Sequence, residues 1–461
     1  MRDEPIPPGW SEVPFEALLV KLSNGTTTEQ HKEPPGIPVS RIETISEAKI
    51  NFAKVRYIRD ASTELRERFL LLPGDILFSH INSDTHLGKC ALYRGGSELL
   101  HGMNLLLMRM VPAAYPEFIE QYLTYLRARG YFIQIAQHAV NQSSLNQKKI
   151  SQIPVHLPPL AEQKRIVAKI EELFSELEAG EESLRVARRQ LGAYRQSLLK
   201  QAFEGKLTAR WRTQRPSELA EWSWLTLEDV AEVTGGLTKN SKRDSLTSRI
   251  PYLRVANVYA NELRLDEIKD IGVTPEEAKK VRLVKGDLLI VEGNGSLDQI
   301  GRVALWNGSI PNCGHQNHLI RARCHAMAHP AFVLMFLISP RGRELIEKQA
   351  ASTSGLHTLS VSKVQHLPVP LCSLPEQQEI VRLLDEQFEV VERNEREIDA
   401  ALKRSEALRQ SILKKAFTGR LVPQIATDEP ASALLARLGT ERETGAPSAR
   451  PRRKTANSPE S

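Results

Sequence analysis

The sequence predicts a mixed α/β (α+β) protein in which two pseudo-repeated globular domains are separated by two long helices packed as an antiparallel coiled coil. Three observations predict it: a duplication that fills nearly the whole chain, short apolar runs bounded by turn residues in each half, and two stretches with apolar residues at 4,3 spacing. At 461 residues the chain is too long for one ordinary core, and 41% apolar with 26% charged residues suits several units that each bury one.

The duplication is read by self-comparison. RQSLLKQAFEGKL (Arg195 to Leu207) matches RQSILKKAFTGRL (Arg409 to Leu421) at 9 of 13 positions with an offset of 214. The same offset carries IPVHLPPLAEQKRIV onto LPVPLCSLPEQQEIV and SSLNQKKI onto HTLSVSKV. Further upstream it drifts by one or two residues, laying LGKCALYRG on IGRVALWNG, PGDIL on KGDLL and IPVSRI on IPYLRV. Runs such as GDILFSHI and GDLLIVEG, bounded by Gly, Pro, Asn and Asp, read as strands.

The second part of each half reads as helix. Ile166, Ile170, Leu173, Leu177, Gly180, Leu184, Ala187, Leu191, Tyr194 and Leu198 keep strict 4,3 spacing. The second copy, Ile380, Leu384, Gln387, Val391, Asn394, Ile398, Ala401, Ser405, Leu408 and Ile412, is more polar. Sustained heptads with charged flanks indicate coiled-coil packing, so the expected seam is Ile166, Ile170, Leu173, Leu177, Leu184, Leu191 and Leu198 against Ile380, Leu384, Val391, Ile398, Leu408 and Ile412. Pro158 and Pro159 precede the first helix, Ser373 and Glu376 suggest a capping box at the second, and Gly205 and Gly419 stop them. Some 44 residues at 1.5 Å rise make a rod of roughly 65 Å. The expected segments are a domain over 1–157, a helix over 158–207, a domain over 208–371, a helix over 372–421, and a short helix with a disordered basic tail over 422–461.

Charge and cysteines bound the function classes. The formal charge is +6, of which Arg450, Arg452, Arg453, Lys454 and Glu460 supply +3, leaving a mildly basic body. Cys90, Cys313, Cys324 and Cys372 form no CxxC pair, which suits free thiols in a reducing cytoplasm. No run of about 18 apolar residues suggests a membrane span, and the start of the chain lacks a secretory pattern.

Two globular units alternating with two helices, opened by LPPLAEQKRIV and LPEQQEIV and closed by QAFEGKL and KAFTGRL, resemble the specificity subunits of type I restriction-modification systems over about residues 8 to 421. The resemblance implies two target recognition domains, each reading one half of a bipartite asymmetric site on double-stranded DNA. The helices would set the spacer and dock two modification (methyltransferase) subunits, and restriction (endonuclease/translocase) subunits would complete the complex. It implies no cofactor in this chain, the partners using S-adenosylmethionine, ATP and Mg2+. A protein-binding coiled-coil scaffold and a self-contained restriction-modification enzyme are the alternative readings.

Chemical motifs are sparse. GxxxxGK[ST] is absent, as is an Asn or Asp followed by Pro-Pro and an aromatic, and no catalytic residue is nominated. Gly293-Asn294-Gly295 has Ile81-Asn82-Ser83 in the first copy, so the glycines are a turn and the shared asparagine is the feature of interest. His315, His318, Cys324, His325 and His329 lack regular ligand spacing, so no metal is expected. Asp75 and Asp287 read as turn residues.

Phosphate contacts position a DNA reader, and amide or guanidinium groups discriminate bases. In the first domain this rule nominates Arg41, Lys54, Arg56, Asn82, Ser83, His86, Lys89, Asn141, Ser143, Ser144, Asn146, Lys148 and Lys149. In the second it nominates Lys239, Asn240, Lys242, Arg243, Arg254, Asn257, Asn294, Ser296, Arg302, Gln316, Asn317, Thr353, His357 and Lys363. For each alone, a solvated surface position is the alternative.

Overall fold

The computed structural model describes residues 5–46, 49–139, 142–218, 220–293, 299–350 and 358–444. The chain divides into two compact units, unit 1 comprising Met1–Glu182 with Ala401–Ser461 and unit 2 comprising Ser183–Ala400. These units cut across the sequential segments, because each takes the first part of one long helix and the last part of the other. The helices are Leu160–Phe203 and Leu374–Phe417, 44 residues each.

Each unit is built on a four-stranded antiparallel sheet. In unit 1 the order is Leu19–Asn24, Leu106–Met110, Ile76–Phe78, Cys90–Leu92. In unit 2 it is Ala231–Gly235, Leu319–Cys324, Leu288–Val291, Val303–Leu305. Successive strand residues point to opposite faces. Accordingly Ile76, Phe78, Leu106 and Met108 enter one core, while Leu77, Leu105 and Leu107 enter another on the far face. Leu288 and Ile290 against Leu289 and Val291 repeat the division in unit 2. Both faces being covered explains why GDILFSHI and GDLLIVEG read as unbroken apolar runs.

The turn before the central strand is locked identically in the two units. Asp75 accepts the Leu72 N–H (2.7 Å) and a bidentate pair of bonds from Arg109 (2.7 and 2.7 Å). Asp287 accepts the Val284 N–H (2.8 Å) and the paired donors of Arg323 (2.7 and 2.8 Å). These aspartates are turn and sheet fasteners.

The start of each long helix is fixed by a glutamine. Gln163 accepts from the Tyr115 N–H (2.7 Å) and donates to the carbonyls of Ala113 and Pro158 (2.9 Å each). Gln377 accepts from the His329 N–H (2.7 Å) and donates to Met327 (3.0 Å) and Cys372 (2.9 Å). The capping box expected at Ser373 and Glu376 does not form. The Ser373 hydroxyl is buried without a hydrogen bond, and Glu376 instead accepts from Thr208 (2.8 Å) and pairs with Arg212 (3.0 Å).

At the other end, Gly205 and Gly419 adopt φ of +69° and +68°, the left-handed conformation that ends a helix and favours glycine. The phenylalanine two residues earlier is the anchor. Phe417 meets Phe118, Tyr122 and Tyr125 with ring centroids 5.3, 5.2 and 5.1 Å away. Phe203 meets Phe332 and Phe336, both at 5.2 Å. The short helix Ala431–Thr444 adds Ala431 and Leu434 to the unit 1 core.

Within each unit the two helix segments run antiparallel. In unit 1, Arg409 lies over Phe174 (5.0 Å) and pairs with Glu178 (3.7 Å) and Glu181 (3.4 Å), and Ser405 donates to Glu181 (2.6 Å). In unit 2, Arg195 lies over Phe388 (5.0 Å) and faces Glu392 (4.0 Å) and Glu395 (3.7 Å), while Arg188 donates to Asp399 (2.8 Å) and Tyr194 to Gln387 (3.0 Å). All four residues of the Arg409 set correspond to those of the Arg195 set at the repeat offset of 214.

Ile166, Ile170, Leu198, Ile380, Leu384, Val391 and Ile398 are buried, and Leu173, Leu177, Leu184, Leu191 and Ile412 are half-buried. Leu408 corrects the expected seam, being 51% exposed. The buried positions run 380, 384, 388, 391 and 398, so a second step of four turns Phe388 inward in place of Gln387 and brings Ser405 and Arg409 inward in place of Leu408.

Truncating a fully packed core phenylalanine costs about 3–5 kcal/mol. Phe417→Ala should therefore destabilise unit 1 by that amount, and the half-buried Phe203→Ala should cost unit 2 less. Denaturant unfolding of the full chain, with hydrogen exchange locating the loosened unit, is the measurement.

Candidate nucleic-acid interface

On the far face of each sheet, one short 3-10 turn carries an arginine at its entrance. In unit 1 the Arg41 N–H donates to Thr44 Oγ1 (2.8 Å), and Thr44 Oγ1 donates to the Lys54 carbonyl (3.1 Å). In unit 2 the Arg254 N–H donates to Asn257 Oδ1 (2.9 Å), and Asn257 Nδ2 donates to the carbonyls of Arg264 (2.8 Å) and Glu267 (3.1 Å). A small polar side chain three residues on thus fixes the arginine backbone in both copies, leaving a guanidinium at the surface.

Two further segments converge on each turn. In unit 1 Thr26 donates its N–H to His101 O (2.9 Å), and Gly102 donates its own to Ser40 Oγ (3.0 Å). In unit 2 Leu237 donates to His315 O, Gln316 to Leu253 O and Asn317 to Leu237 O, each at 2.9 Å. The approach requires glycine: a Cβ on Gly25 would stand 1.9 Å from Gly102 O, and one on Gly236 2.2 Å from His315 O. Residues 237–243, 254–257 and 316–317, nominated separately from the sequence, therefore form one continuous surface.

In unit 1 a cleft of about 260 Å³ is lined by Lys54, Asn82, His86 and Lys89, together with Ile42, Glu43, Ile45 and Ser79. Arg41 stands at its margin, paired with Glu43 (3.1 Å) and donating to Gln30 (3.3 Å). Burial, with the nearby Arg127 charge, holds the Lys89 ammonium below the ordinary lysine range. Arg127, which sequence reasoning did not nominate, donates to Thr85 O (2.7 Å) and so supports the loop that carries His86 and Lys89.

Several nominated residues have internal roles instead. Ser143 is buried, donating to Asp84 and bonded to His138 Nδ1 (2.8 Å). Asn146 caps the helix Gln147–Ser151 through the Lys149 N–H (2.8 Å), and Lys149 donates to Ile135 O (2.6 Å). Asn257 is 3% exposed with both amide atoms engaged. Arg243 forks onto Glu277 (2.8 and 3.0 Å) and donates to Thr238 O (2.7 Å) and Gly272 O (3.0 Å). Asn82 makes its own turn with Ser83 N–H (2.9 Å) and Ser79 (3.2 Å), the structural alternative for an asparagine at a strand end. Lys363 reaches Thr358 O (3.1 Å). Each was nominated because its residue type is shared by base readers and by turn or cap formers.

Lys54, Ser83, His86, Lys148, Lys239, Asn240 and Lys242 are exposed, and Arg41, Arg56, Lys89, Ser144, Arg254, Arg302, Gln316 and Asn317 are half-buried. Asn141, Asn294, Ser296, Thr353 and His357 lie outside the described residues. Tyr259 was missed: Arg264 and Arg302 lie over its ring at 3.8 and 4.8 Å. An aromatic flanked by basic residues was its sequence signal. Among the described residues no group of three or more His, Cys, Asp or Glu could hold a metal, and His318 pairs with Glu292 (2.8 Å). No described helix is long and apolar enough to cross a membrane.

Fold and site together define a duplicated chain, two copies of one α+β unit with an arginine-centred basic surface on each. The type I restriction modification DNA specificity domain matches residues 15–185 and 220–404, and the chain belongs to that family. It is 27% identical over 457 residues to the EcoKI type I restriction enzyme specificity subunit of Escherichia coli K12, covering 95% of this chain and 96% of that one. A specificity subunit described for the MjaX system of Methanocaldococcus jannaschii is 44% identical over 174 residues, 37% of this chain and 41% of that protein. Among solved structures, a chain from a study of type I R-M complex assembly superposes with a TM-score of 0.66 at 18% identity, covering 90% of this chain and 100% of that one. The HsdS subunit of Thermoanaerobacter tengcongensis gives 0.53 at 18%, covering 91% and 99%.

The site generates two stability predictions. Removing the Asn257 amide leaves the Arg254 N–H and two carbonyls without partners, so Asn257→Ala should cost about 1–3 kcal/mol in chemical denaturation. Burial lowers the pKa of His101 and of His315 to about 4 from 6.5. The unfolded chain takes up these protons below pH 6.5 and the folded chain only near 4, so stability is complete above 6.5 and falls between the two values. Roughly 3 kcal/mol is at stake per histidine, and urea titrations at pH 7 and 4.5 should reveal the loss.

Proposed function

We propose that this specificity subunit reads a bipartite, asymmetric site on double-stranded DNA, each recognition domain taking one half, and that it is itself non-catalytic. The long helices pack as an antiparallel coiled coil that sets the spacer and docks two modification subunits. Restriction subunits join the same cytoplasmic complex, and the partners supply S-adenosylmethionine, ATP and Mg2+ chemistry.

One observation carries this proposal: the same backbone-fixed arginine turn recurs in both units, while the residues around it differ. Thr44 fixes Arg41 where Asn257 fixes Arg254, and the cleft residues Lys54 and Lys89 answer to different neighbours in unit 2. A fixed cation suits phosphate contact that sets register, and divergent flanking side chains suit two different base sequences. Readers on one face of B-DNA stand about 34 Å apart per helical turn, a separation that rigid paired helices can hold.

Exchanging residues 1 to 155 with those of a related chain should change one half-site and preserve the other, as read by methylome sequencing. A change in both would refute the division of labour. Deleting one heptad from each long helix should alter the spacer and leave both half-sites intact.

A further inference from the structure

Unit 2 holds a crevice of about 490 Å³ whose polar lining is dominated by Arg195, Arg302 and Arg343 and whose apolar lining includes Leu199, Leu337 and Phe388. We propose that it is a docking pocket for an acidic side chain carried on an apolar segment of the modification subunit. This inference rests on the reading of the long helices as the partner-holding part of the chain.

The three arginines are positioned but incompletely partnered. Arg302 is held with its guanidinium 4.8 Å from the Tyr259 ring centre, and its buried Nε has no acceptor. Arg195 is held over Phe388 at 5.0 Å, and its Nε and Nη2 are buried without hydrogen bonds, the nearest carboxylate being Glu395 at 3.7 Å. Arg343 is braced by donation to Ile300 O (2.7 Å). A guanidinium N–H taken out of water needs an acceptor, and a carboxylate is its strongest geometric match.

The rest of the lining selects the occupant. A DNA phosphate would answer the charge but leave Leu199, Leu337 and Phe388 uncovered, whereas a peptide with an apolar residue beside its acid covers both. Leu199 and Phe388 belong to the two long helices, so such a peptide would seat on the helices and the recognition domain together. Unit 1 repeats the cation set at the corresponding positions: Arg409 over Phe174 at 5.0 Å and Lys89 in place of Arg302. The inference is therefore one seat per unit, with the unit 2 seat the more strongly cationic.

The test uses the full chain, titrated with purified modification subunits in the absence of DNA and followed by native mass spectrometry. Arg302→Glu should weaken uptake of one of the two partner copies by roughly tenfold or more, while Arg302→Lys keeps most of it. If Arg302→Glu lowers Tm, the near-isosteric Arg302→Gln should still give a loss of roughly threefold. Unchanged assembly in all three variants overturns the proposal, and unchanged assembly with weakened DNA binding reassigns Arg302 to the nucleic acid. If the unmodified chain takes up no modification subunit at all, the broader assignment of partners to this chain fails as well.

Discussion

Everything in this fold depends on the insertion of the last helical phenylalanine of each long helix among aromatic rings. Phe417 lies within about 5 Å of three ring centres in unit 1, and Phe203 within the same distance of two in unit 2. Edge-to-face packing of this kind adds perhaps 0.5–1.5 kcal/mol per pair to the area buried. With a glutamine fastening each helix at its start, both ends are fixed, and the Arg409 and Arg195 constellations then have a defined register to occupy.

The architecture was largely legible in the sequence because its signals are repeated and periodic. QAFEGKL and KAFTGRL marked the helix ends, and the two glycines do adopt the left-handed conformation that their position demands. The seam of the first helix was legible because it is almost wholly apolar. That of the second was not, since an extra step of four moves polar Ser405 and Arg409 inward, where Glu181 satisfies them, and exposes Leu408. Apolar spacing cannot report a seam partly made of ion pairs.

Individual site residues were harder to read for a related reason. Asn257, Ser143 and Arg243 have the side chains of base or phosphate contacts, yet each spends its hydrogen bonds within the fold. Sequence gives the residue type, but only the geometry shows whether its donors and acceptors are already engaged. Tyr259 was invisible because its two guanidinium partners, Arg264 and Arg302, come from different parts of the chain.

Unit 2 is contained in one continuous stretch, whereas unit 1 needs residues from both ends of the chain. During synthesis the ribosome must therefore make Phe417 and Leu434 before the first core can close, long after the residues that surround them have emerged. The later-encoded half can mature first, and the earlier one waits with its aromatic cluster open to solvent. Ordering by completeness rather than by emergence makes that waiting interval the period of greatest exposure to aggregation and chaperone capture.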